Sequence, residues 1–86
     1  MNTDNLVNLK NRAWTDWMHF AHQQAMRGAF LECPHGKSPR IANDNEGRTT
    51  ATFFNLIQPL QVFVWNNSKE CFEFNLDLTL QARQPA

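Results

Sequence analysis

The sequence predicts an α+β domain, with one long N-terminal helix packed on a three- to four-stranded antiparallel sheet. Three observations carry this. A proline-free apolar stripe of helical spacing runs from residue 5 to 31, and β-branched and aromatic runs follow from residue 49. Only short turn-forming stretches separate those later runs, and short turns join antiparallel strands, whereas parallel crossovers need a dozen residues or more.

The helix is read over 5–31. At about 100° per residue, Leu6, Leu9, Ala13, Trp14, Trp17, Phe20, Ala21 and Leu31 share one broad face. Asn8, Arg12, Thr15, His19, His22 and Gln23 fall opposite. Asn2, Thr3 and Asp4 are N-cap candidates, and Gly28 offers a stop, so the end is placed between Arg27 and Leu31. An apolar stripe of this spacing belongs to a core, and Trp14, Trp17 and Phe20 are assigned there.

Residues 32–48 read as a loop with a short strand at Arg40 to Ala42 and a turn over Asn43 to Gly47, residues that tolerate left-handed backbone. Thr49 to Ile57 also fits a short helical face through Phe53, Leu56, Ile57 and Leu60, but its Thr and Phe content favours a strand. Leu60 to Trp65 is β-branched and aromatic. Beyond it, Phe72, Phe74, Leu76, Leu78 and Leu80 alternate with Glu73, Asn75, Asp77 and Thr79. Period two is the signature of a strand with one buried face, here set against the helix. Antiparallel strands are thus expected over 49–80, and a frayed tail over 81–86. At 86 residues the chain reads as one small domain, 1–86.

Composition narrows the function. Eight Lys and Arg balance eight Asp and Glu, so the formal net charge is zero. Nucleic-acid binders draw much of their affinity from a basic surplus, which is missing here. Zero charge also leaves little repulsion between copies of the chain. Cys33 and Cys71 are too few for a disulfide framework. The chain start shows no basic stretch followed by an apolar run, and no segment approaches the roughly 20 apolar residues of a membrane span. The expectation is a cytoplasmic protein with reduced thiols.

Site chemistry is sparse. The carboxylates show no motif spacing, and Gly28, Gly36 and Gly47 form no phosphate loop, so neither an enzyme nor a cofactor is expected. His19 and His22, with Cys33 and His35, make an H-x2-H and C-x-H set of four nitrogen and sulfur donors, the kind zinc takes. Their spacing matches no zinc-finger pattern, so no metal is assigned. Lys37, Arg40 and Arg48 beside His35 give the 35–48 stretch local basic character, with Phe63 or Trp65 as base-stacking candidates. A nucleic-acid accessory protein is therefore one alternative, and a small zinc domain another.

The strongest functional signal is an apolar surplus. Leu60 to Trp65 is apolar on both strand faces, and one helix covers only one face of a sheet. If the helix takes the aliphatic set, Phe53, Ile57, Phe63 and Trp65 are left for the far face. Exposed aromatic patches on small proteins mark interfaces. The competing reading buries these side chains within a curled sheet or under the 33–48 loop. The expectation is a non-enzymatic protein-binding module with those four residues at its centre and Arg40 and Arg48 on its rim. Its partner would be another protein or a second copy, as a homodimer. By analogy with short phage and mobile-element proteins that block host defences, an anti-CRISPR-like inhibitor is one form such a module takes.

Overall fold

Helix α1 runs over Thr3–Met26, and four strands follow: β1 Arg40–Asn43, β2 Thr49–Asn55, β3 Gln58–Asn66 and β4 Cys71–Phe74. A second helix, α2, spans Leu76–Arg83. The strands form one antiparallel sheet in the order β1-β2-β3-β4. This computed structural model describes residues 3–35 and 38–84. Asn2, Gly36, Lys37, Pro85 and Ala86 lie outside the described residues, as do the side chains of Thr3 and Asp4, so the N-cap candidates fall there too.

α1 is shorter than its apolar stripe suggests. The Gly28 N–H donates to the Ala25 carbonyl at 2.9 Å and the Ala29 N–H to the Gln24 carbonyl at 2.8 Å. With Gly28 at φ 84°, this is a Schellman stop, and it ends the helix at Met26 rather than near Leu31. Leu31 still packs on the core, but from an extended segment.

The sheet meets α1 through its aromatic face. Register places Ile41, Ala51, Phe63 and Phe74 side by side, with Phe53 opposite Gln61 and Trp65 opposite Phe72. Ala13 and Trp17 of α1 are buried against this face. The Trp14 and Trp17 rings stack at 5.3 Å, Phe20 stacks on Phe74 at 4.6 Å, and Phe53 and Phe63 meet edge to face at 5.6 Å. The Trp17 Nε1–H donates to the Gln61 Oε1 at 2.9 Å, which gives two buried polar groups each other as partners.

The β1–β2 turn is built on Asp44. The Gly47 N–H donates to the Asp44 carbonyl and the Asp44 N–H to the Arg48 carbonyl, with Gly47 at φ 78°. The Asp44 carboxylate accepts from the N–H groups of Glu46 and Arg48 and from the Arg48 Nε, at 2.7–2.9 Å. Burial acts to raise the Asp44 pKa, but these donors and the Arg48 charge outweigh it and hold the carboxyl below its ordinary 3.8. A lowered folded pKa stabilises the fold above the unfolded value, and that contribution is lost as pH falls through the folded one. Asp44→Asn is expected to flatten the acid limb of Tm against pH, below about pH 4. Identical acid limbs in the two proteins would remove Asp44 from the account.

β2 and β3 slip register between Phe53 and Phe54: Phe53 pairs with Gln61, Phe54 with Pro59, and Leu60 is skipped. A bulge is where a strand tolerates proline, which has no N–H for the ladder. β4 then stops at Phe74, well short of the strand expected to Leu80. Asn75 caps α2 with its side-chain oxygen, which accepts from the Leu78 N–H at 2.8 Å, and Asp77 sits in the first turn where the helix dipole favours a carboxylate. Helical spacing inverts the burial that alternation implies: Thr79 is buried, while Leu76 and Leu80 are exposed. The stretch expected to fray from residue 81 is helical through Arg83.

α2 also completes the sheet. The Asn75 N–H donates to the Val62 carbonyl, the next rung after β4, and the chain then turns away. The Val62 N–H donates instead to the Thr79 Oγ1 at 2.9 Å, and that hydroxyl donates to the Asn75 carbonyl at 2.7 Å. On the outer edge of β4, the Phe72 N–H donates to the Asp16 carboxylate of α1 at 2.8 Å. Open edges invite pairing with other chains, and here side chains from both helices blunt the β4 side of the sheet.

Candidate functional site

The six residues expected at a binding surface separate. Phe53 and Phe63 are each 1% exposed and form the centre of the core. The expectation assigned α1 to the aliphatic set, but α1 takes the aromatic face because Trp14, Trp17 and Phe20 interlock with rings better than with Leu and Val. Leu60 and Val62 face away from α1 and are buried near α2. Trp65 is half-buried, with its ring edge to face on Phe72 at 5.1 Å. Arg40 lies over the Phe54 ring at 4.7 Å, and Arg48 is held by Asp44 and Glu46 at 2.7 Å each. Neither arginine rims an apolar centre formed by the other four.

Ile57 is the exception. It is 94% exposed, and its neighbour Leu56 is 70% exposed, at the tip of the β2–β3 hairpin. Asn55 pairs with Gln58, so Leu56 and Ile57 alone make the loop. Leu56 has φ 57° and Ile57 does not share the positive sign. That is the pattern of a type II′ turn, whose first loop position calls for glycine. Two large apolar residues thus occupy a turn that ordinarily takes small or polar ones, and one of them is strained there.

More apolar surface lies beside the tip. The His35 N–H donates to the Phe54 carbonyl, and the Asn55 amide donates to the Glu32 carboxylate. These bonds lay the segment before His35 along the end of β2. Within it Phe30 is 84% exposed, while Leu31 turns inward. Leu31 helps to line a groove of about 320 Å³ with Phe20 and Gln24 of α1, Leu60 of β3, and Leu76 and Leu80 of α2. Both α2 leucines are more than half exposed. Arg83 stands at the groove with no ion pair to another described residue.

The other candidate chemistry is dispersed. His19, His22, Cys33 and His35 are all exposed, and among the described residues no three His, Cys, Asp or Glu side chains are placed to hold a metal ion. Cys33 and Cys71 are free thiols. Trp65 lines a cleft of about 690 Å³ with Asn8, Leu9 and Arg12 of α1 and Lys69 and Glu70 of the β3–β4 turn. The cations of that cleft already face carboxylates, Arg12 with Asp16 at 3.6 Å and Lys69 with Glu73 at 3.2 Å. The Asn66 amide and Lys69 both hold the Glu73 carboxyl below its usual pKa. Among the described residues no helix is long and apolar enough to cross a membrane. Comparison with protein-family models, curated proteins and solved structures yields no match.

The signal for the tip was present in the sequence. Asn55-Leu56-Ile57-Gln58 lies between two β-runs where Asn-Gly or Gly-Asn would be ordinary, and an apolar pair at a two-residue turn has nowhere to point but outward. Reading Leu56 and Ile57 as the end of a strand concealed it.

Proposed function

We propose that the chain is a non-enzymatic protein-binding module whose contact surface is the apolar end formed by the β2–β3 tip and the groove beside it. The observation that supports this is Leu56-Ile57, a large, exposed pair with Leu56 strained, where turn chemistry favours glycine and a polar residue. Strain kept at an exposed position, with no packing in return, is what a binding anchor looks like. The module acts by occupying its partner's surface.

The test replaces the tip with the residues the turn prefers. Leu56→Gly with Ile57→Asn removes the anchor and relieves the backbone. Urea unfolding is expected to give a stability at or above that of the wild type, since Ile57 buries almost nothing. Tagged wild-type chain should capture a protein from a lysate of its source that the double variant does not. Equal capture by both would dismiss the apolar end as the contact surface.

A further inference from the structure

We propose that the occupant of this apolar end is a second copy of the chain, related by a two-fold axis, with Ile57 of each copy seated in the groove of the other. The inference rests on the protein-binding reading above and names the partner. A two-fold interface is made by the same patch on both copies, so the patch must carry its own complement. This one does. Ile57 projects from the hairpin, and the groove wall at Leu60 lies three residues further along β3, roughly 10 Å away at strand spacing. A projection and a hollow side by side can exchange places across a two-fold axis.

Area and charge agree with a copy of the same chain. Phe30, Leu56, Ile57, Leu76 and Leu80 together present roughly 700 Å² to solvent, against roughly 800 Å² per partner in a standard stable interface. The formal net charge of zero sets no long-range repulsion between copies. The patch carries both signs at its margins, Glu32 beside Asn55 and Arg83 at the groove, as a surface that faces itself requires.

Sedimentation equilibrium tests this, with reductant present because the exposed Cys33 thiol could cross-link copies. The wild type is expected to show a reversible monomer–dimer equilibrium. Ile57→Asp on the projection and Leu80→Asp on the groove wall are each expected to weaken it at least about tenfold, with circular dichroism unchanged. A wild type that remains monomeric at about 0.5 mM overturns the dimer, and so does a dimer indifferent to both variants. The broader reading fails on a different result. A monomeric wild type that loses a captured protein in the Leu56→Gly/Ile57→Asn variant overturns the dimer alone, whereas unchanged capture removes the protein-binding surface itself.

Discussion

Phe63→Ala is expected to lower the unfolding free energy by about 3–5 kcal/mol, the usual cost of truncating a buried phenylalanine. At roughly 0.05–0.15 kcal/mol per residue, that is a large share of what a domain of this size holds. The reason is its position. Phe63 sits between Ala51 and Phe74 in register, and its ring meets those of Phe20, Phe53 and Phe74 at 5.5–5.9 Å. Removing it strips contacts from α1, β2 and β4 at once, and no neighbour is free to collapse into the space. Urea denaturation measures the loss. Trp65→Ala, at a half-buried site, should cost visibly less. A Phe63 variant as stable as the wild type would show that this ring is not the centre of the core.

Thr79→Val is expected to cost about 1–3 kcal/mol although it preserves shape and adds apolar character. Threonine at this site, 5% exposed, is the acceptor for the Val62 N–H. Valine fills the same space but leaves that N–H buried without a partner, and stranding a buried donor costs more than a net hydrogen bond contributes. Thr79→Ser keeps the hydroxyl and should retain most of the stability lost by valine. Hydrogen exchange gives a local readout, since the Val62 amide should lose protection in the valine variant and keep it in the serine one. A valine variant with the wild-type stability would remove the hydroxyl from this role.

The class of fold was legible because long patterns are robust. A 24-residue helix tolerates an error at its end, and β2 and β3 carry β-branched and aromatic residues that suit a pleated surface. α2 was hidden for a specific reason. Leu76, Leu78 and Leu80 continue the alternation of Phe72 and Phe74, and a period of two over nine residues outweighs one Asn cap and one Asp. Yet Leu76 and Leu80 are also four apart, so one face of a short helix satisfies them equally. Asn75 followed by Asp77 was the local signal that decided between the two.

The exposed apolar surface was legible in kind but misplaced in position. An apolar surplus exists, but parity along a strand says which residues share a face, not which face the helix takes. Ring-on-ring packing made that choice, and it drew Phe53 and Phe63 inward. Ile57 remained outside because a two-residue turn gives its side chain no interior to enter.

The hydroxyl that completes the sheet also sets an order of events. Thr79 follows Val62 by 17 residues, so at roughly 5–20 residues per second the emerging β2–β3 hairpin waits about one to three seconds for it. Hairpins form in microseconds, so a growing chain carries β3 with a bare edge until β4 emerges, and bare at Val62 until Thr79 does. Crowded ribosomes translating the same message would hold such edges close together, and a slow codon between Val62 and Thr79 would lengthen their exposure.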